Sequence, residues 1–166
     1  AKQSVKDANT LYQSGDYKAA SAKYEEALAY DPSLADIYFF LGNSYDNQFK
    51  PSKKGEAAND AFLTKAIENY KKAASMMSSE KIKKLSLEYL VAAYGPDKLN
   101  DPGQAEPILL EIVAEKTGYP QEMLGLDMAL DADLGIDSIK RVEILSAMQE
   151  RIPGLPTLAA EELGAI

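Results

Sequence analysis

Ser138 is the side chain of this sequence best placed to do chemistry. It lies in the run Ala132-Asp133-Leu134-Gly135-Ile136-Asp137-Ser138-Ile139-Lys140-Arg141-Val142-Glu143-Ile144-Leu145, at the mouth of a predicted amphipathic helix. Gly135 permits a tight turn, Asp137 is a favoured N-cap residue, and the amides of the first turn have no partner within the helix. A phosphodiester on Ser138 would therefore sit at the positive end of that helix. The chain contains no histidine and no cysteine, which excludes a Ser-His-Asp triad, thiolate catalysis, disulfides and the usual zinc sites. The chemistry expected of Ser138 is thus attachment of a phosphate-linked group rather than catalysis of its own. For an arbitrary Asp-Ser pair a plain N-cap would be the better reading; the flanking Asp133-Leu134-Gly135 and the length of the helix favour attachment. Asp131, Asp133 and Asp137 invite a calcium loop, but their spacing fails. A loop begun at Asp131 places Gly135 at a ligand position, Ile136 at the required glycine and Val142 at the closing glutamate. These carboxylates instead favour the helix start and offer partners a negative face.

The elements that must hold this serine can be traced outward. Ile139, Val142, Leu145 and Met148 form an apolar stripe with Ile144 beside it, and Pro153-Gly154 ends the helix. Upstream, Ile108, Leu109, Ile112 and Val113 mark one face of another helix, closed by the turn Thr117-Gly118-Tyr119-Pro120. A long loop with Met123, Leu124, Leu126, Met128 and Leu130 is spaced to cover a small core, and Leu158 to Ile166 starts a further short helix. This layout, with Asp133-Leu134-Gly135-Ile136-Asp137-Ser138-Ile139 at its centre, closely resembles an acyl carrier protein over about residues 106–166. The continuation Lys140 to Leu145 is most similar to carriers of polyunsaturated fatty acid synthases and related type I polyketide synthases.

The resemblance implies that a phosphopantetheinyl transferase moves 4′-phosphopantetheine from coenzyme A onto Ser138. Acyl intermediates would then ride on the arm as thioesters between acyl-processing synthase domains, the cofactor bringing the sulfur that the chain lacks. It assigns Asp137 to the attachment site and Glu143 to a partner-facing surface. Lys140 and Arg141 break the negative face beside the serine, and one of them is expected to contact the phosphodiester.

Residues 1–34 fit a helix-turn-helix template. Small residues stand at Ala8, Ala20 and Ala27, aromatic ones at Tyr17 and Tyr24, a turn at Gly15-Asp16 and a stop at Asp31-Pro32. They resemble a tetratricopeptide repeat. A second copy begins at Ala35, with Tyr38, Leu41, Gly42 and Tyr45 on its first helix and Ala66, Tyr70 and Ala73 on its second. Between its helices an inserted stretch around Phe49-Lys50-Pro51-Ser52-Lys53-Lys54-Gly55-Glu56 reads as a loop followed by an extended second helix. A weaker third copy has Leu87, Leu90, Val91 and Tyr94, then the loop Gly95 to Gly103, then Gln104 to Val113. Repeats of this kind bury a core only by stacking, and they leave a groove lined by their first helices. By family analogy the groove includes Val5, Asn9, Tyr12, Phe39, Asn43 and Asp46, and its expected occupant is a peptide or protein. Val5, Phe40, Leu85 and Tyr89 stand where a basic clamp for carboxylate-ended tails would need Lys, Asn or Arg.

The two halves differ in charge. Residues 1–104 hold 14 lysines and 14 acidic residues, whereas residues 105–166 hold 4 basic and 12 acidic ones. The expected architecture is all-α, with tetratricopeptide-like repeats over 1–105 and a carrier-like small helical bundle over 106–166. No flexible linker separates them: the helix at 104–116 serves as the last of the array and the first of the carrier. Pro107 either starts a turn or kinks that helix. No apolar run approaches the roughly 20 residues of a membrane span, so neither membrane nor nucleic acid is an expected partner and the expected location is cytoplasmic. Because the usual acid-base and nucleophile groupings are missing, the chain is expected to be a carrier and not an enzyme. The competing class is an interaction or structural protein, including a helix-fused designed chimera without acyl transfer. Replacing both Lys140 and Arg141 with Gln is expected to alter the rate of modification or the mobility of the arm. Unchanged values of both, measured by mass spectrometry and NMR relaxation, would remove the phosphodiester contact.

Overall fold

A computed structural model describes residues 2–76 and 79–125. The helices among them are α1 (Lys2–Gln13), α2 (Tyr17–Tyr30), α3 (Ala35–Asp46), α4 (Ala57–Ser75), α5 (Glu80–Ala93) and α6 (Pro102–Thr117). Two short 3-10 turns, Pro51–Lys53 and Gln121–Met123, complete the described elements, and no strand occurs among them. The all-α expectation holds.

Local sequence explains where these helices start and stop. Gly15 adopts φ +81° in the turn after α1, and the Asp16 carboxylate accepts the Ala19 amide at 3.0 Å as N-cap of α2. Ser79 and Asp101 cap α5 and α6 through the Ile82 and Gln104 amides, and Pro102 opens α6, where its missing N–H costs nothing. Gly118, with φ +79°, ends α6 in the left-handed conformation. The insertion is a loop with one 3-10 turn, followed by the 19-residue α4. Its anchor is Asn59, buried on α4, which accepts the Lys50 amide at 2.8 Å and donates to the Lys50 and Lys53 carbonyls.

Each helix packs on the next in sequence, and α3 also touches α5. Small residues set the spacing: Ala8, Ala20, Ala27, Ala66 and Ala73 are fully buried. Tyr24 on α2 and Tyr70 on α4 are also fully buried and occupy equivalent places in successive helix pairs. The tightest approach is at Gly42. A Cβ there would lie 2.9 Å from Tyr70 Cδ1 and 3.1 Å from the Ala66 carbonyl oxygen, so only glycine lets α3 lie this close to α4.

α6 runs unbroken through Pro107. Packing compensates for the lost hydrogen bond: Ala105, Ile108 and Ile112 lie against the core, and Lys83 of α5 bridges Glu111 and Glu115 at 3.0 Å each. Gln121 donates to the Pro107 carbonyl at 3.0 Å and ties the following turn back to α6. Of the alternatives open for Pro107, the structure has it inside a helix. The predicted helix from Ile139 to Met148 lies outside the described residues.

Gly42→Ala is expected to cost about 1–3 kcal/mol through overpacking. Urea unfolding followed by circular dichroism measures it; a variant as stable as the parent would show that Tyr70 can move aside.

Candidate functional site

Ser138, Asp137, Lys140, Arg141 and Glu143 lie outside the described residues. Within them, the site with convergent polar groups is a cavity of about 350 Å³ lined by Tyr12, Tyr17, Asn43, Asp46, Asn47, Tyr89 and Lys98. Helices α1, α2, α3 and α5 each contribute to its wall, with Asn47 at the end of α3 and Lys98 in the loop after α5.

The floor is a chain of hydrogen bonds. Tyr12 donates its hydroxyl to Asn43 Oδ1 at 2.5 Å, and Asn47 Nδ2 donates to the same oxygen at 2.8 Å. Asn43 Nδ2 donates to the Tyr70 hydroxyl at 3.4 Å, and that hydroxyl donates to Asp46 Oδ2 at 3.3 Å. Lys98 Nζ then lies 2.6 Å from Asp46 Oδ1 and 2.8 Å from Oδ2. The Lys98 contact joins residues 52 apart in sequence, and the Asp46 side chain is only 8% exposed. A carboxylate so enclosed needs a charged partner, and the ammonium supplies it.

Burial pushes the phenols up. Tyr70 is held protonated far above the ordinary tyrosine range, first by desolvation and then by the Asp46 carboxylate. Tyr12 is raised by burial, with Tyr89 and Tyr17 adding to it. Tyr24 is pushed up to about 12, chiefly by burial. Tyr45 is raised by burial and by its hydrogen bond to Glu25. The rings form a continuous series: Tyr17 to Tyr12 at 5.5 Å, Tyr12 to Phe40 at 5.6 Å, Phe40 to Phe39 at 5.5 Å and Phe39 to Tyr89 at 5.3 Å.

Of the residues expected to line the groove, Tyr12, Asn43 and Asp46 meet at this cavity. Asn9 is exposed but outside its lining and accepts the Tyr24 hydroxyl at 2.8 Å. Phe39 is buried against Tyr70 and Tyr89, and Val5 packs against the core. Sequence reasoning missed Tyr17, Asn47 and Tyr89 as cavity walls, and above all Lys98. A lone lysine in a Gly- and Pro-containing loop carries no sign of its partner.

Residues 8–48 match the family model described as TPR repeat, and residues 107–161 match the one described as phosphopantetheine attachment site. The second match begins inside α6. A polyunsaturated fatty acid synthase subunit of Thraustochytrium sp. is 53% identical over 49 residues of the carrier region. That stretch covers 30% of this chain and 2% of the synthase protein. No solved structure matches the chain. Phosphopantetheine attachment domains are carriers, not catalysts.

Two outcomes follow from the cavity. Tyr70→Phe removes a hydroxyl that both donates and accepts, and is expected to cost about 1–2 kcal/mol in denaturant unfolding, with helix content kept. A loss below the error of the measurement would show that the Asn43-Tyr70-Asp46 contacts contribute nothing net. For Tyr24, an unfolded phenol near 10 and a folded one near 12 mean that the unfolded chain loses its proton first. Its stabilisation is therefore complete below about pH 10 and is lost as the pH rises from there through about 12. Melting temperatures across that window, with tyrosinate absorbance near 295 nm as a marker, check it; titration of every tyrosine before unfolding would contradict it.

Proposed function

From a chain that joins tetratricopeptide repeat sequence to a phosphopantetheine attachment segment, we propose an acyl carrier whose attachment point is Ser138. The observation that carries this is the match over residues 107–161, which contains Asp137 and Ser138. Similarity to a polyunsaturated fatty acid synthase protein supports the narrower reading that the cargo is a growing acyl chain. Loading is a phosphoryl transfer. The Ser138 hydroxyl gives up its proton and bonds to phosphorus, the pyrophosphate bond of coenzyme A breaks, and adenosine 3′,5′-bisphosphate leaves. A phosphopantetheinyl transferase supplies base and metal. Once attached, 4′-phosphopantetheine provides the thiol that holds an acyl group as a thioester.

In this reading the chain's own residues position and present. Asp137 caps the helix, Lys140 and Arg141 face the phosphodiester, and Glu143 meets the acyl-processing synthase domains of a cytoplasmic assembly. The repeats over residues 1–105 dock a protein or peptide on the face carrying Asn9, Tyr12, Phe39, Asn43 and Asp46, and residues 106–166 form the carrier. The packing of α6 on α5, together with a carrier match that starts inside α6, supports one helix serving both parts. A shared helix transmits orientation, so the arm alone, rather than a swinging domain, provides the reach.

The test is direct. Incubation with coenzyme A, magnesium and a broad-specificity transferase is expected to add the mass of one phosphopantetheinyl group, and Ser138→Ala is expected to abolish the gain. Absence of modification in a chain that keeps its helical circular dichroism would overturn the carrier reading.

A further inference from the structure

Carrier chemistry leaves the cavity between α1, α3 and α5 without a task. Of its lining residues only Asp46 and Lys98 are charged. Three tyrosine rings, two asparagines and one enclosed carboxylate make an environment that favours an ammonium group. The carboxylate attracts it by charge, and the asparagine and phenol oxygens add polar lining. In this structure the ammonium comes from the chain itself. Lys98 reaches Asp46 from the loop between α5 and α6 and stays 25% exposed. That loop is held by backbone bonds from Leu99 to the Ala93 carbonyl and from Asn100 to that of Gly95, with Asn100 at φ 57°.

We infer that this cavity is a receptor for one lysine side chain of an extended partner segment, and that Lys98 occupies it until the partner arrives. The inference rests on the reading of this face as a docking surface and adds the chemistry of what docks. Charge complementarity selects the occupant, because without Lys98 the lining holds a single uncompensated carboxylate. Exchange of one ammonium for another leaves the buried charge balanced throughout, which keeps the swap from incurring the penalty of an unpaired Asp46. One ammonium fits the site as built: Lys98 Nζ reaches both Asp46 oxygens, at 2.6 and 2.8 Å, while Oδ2 keeps its bond from the Tyr70 hydroxyl. Tyr89, 37% exposed beside the cavity, offers a ring for the flanking residues of the segment. Lys98 belongs to the loop that leads into α6, so docking acts beside the start of the region matched as a phosphopantetheine attachment site.

The experiment uses the full chain, Lys98→Ala and the double variant Lys98→Ala/Asp46→Asn. The probes are n-butylammonium, n-butanol and two short end-blocked Gly/Ser peptides, one with a central lysine and one with norleucine in its place. Butylammonium is expected to raise the melting temperature of Lys98→Ala and of neither other protein, while butanol leaves all three unchanged. Calorimetry is expected to show the lysine peptide binding Lys98→Ala at least ten-fold more tightly than the parent, with that gain lost in the double variant. If Lys98→Ala does not fold, Lys98→Met keeps the apolar stem and takes its place. No gain for the lysine peptide, or no stabilisation by butylammonium, overturns the cation receptor. Equal binding of the norleucine peptide also overturns it but leaves the docking surface standing, so the two readings fail separately.

Discussion

The contact between Gly42 and Tyr70 is the constraint on which the rest of the described structure depends. With no side chain at Gly42, the Cδ1–Cε1 edge of the Tyr70 ring takes the space a Cβ would fill, and α3 packs closely on α4. That proximity lets the phenol hydroxyl reach through to Asn43 and Asp46 on the other side. Asn43 in turn holds Tyr12 of α1, and Asp46 holds Lys98 of the loop after α5. A steric allowance at one residue thus propagates into a polar chain spanning the stacked helices. At Tyr70 the apolar core meets this polar chain.

Buried polar atoms are costly unless paired, and here the partners of Asn43 and Asp46 include Tyr12 of α1, Tyr70 of α4 and Lys98 of the loop after α5. The network therefore specifies how the helices stack more sharply than apolar burial alone would. Alanines at the helix contacts tolerate small slides, whereas the hydrogen bonds of Asn43 and Asp46 tolerate few. The same property makes the cavity polar and preorganised. Its charges are paired internally, so a ligand must replace an existing contact rather than fill an empty one.

At the other end, α6 is fixed by different means. No α6 side chain is fully buried, and the helix is held by one apolar edge and by Lys83 bridging two glutamates. Lys83 is driven well above the usual lysine range by those carboxylates, yet the pairs are a third exposed and salt screens them. The packing of α6 on α5 is thus held more softly than that of the helices before it.

Much of this was legible in the sequence. The small-residue offsets, the Gly15-Asp16 turn, the stop at Asp31-Pro32 and the inserted loop before a long helix all found their places, because each is a local rule about backbone and size. The match over residues 107–161 was legible for the same reason, because the Asp133-Leu134-Gly135-Ile136-Asp137-Ser138 motif is written in consecutive residues. Pro107 was not, since the local penalty for proline in a helix had to be weighed against packing by Ala105, Ile108 and Ile112, which no window of sequence contains. Nor was the Asp46–Lys98 pair, whose members lie 52 residues apart and meet through the packing of α5 and its following loop on α3. Sequence by itself determined the helices and their repeat; the tertiary structure alone decided the partners of buried charge. The physical reason is that caps and turns act over a few residues, whereas an enclosed carboxylate is answered by whatever cation the folded chain carries nearest in space.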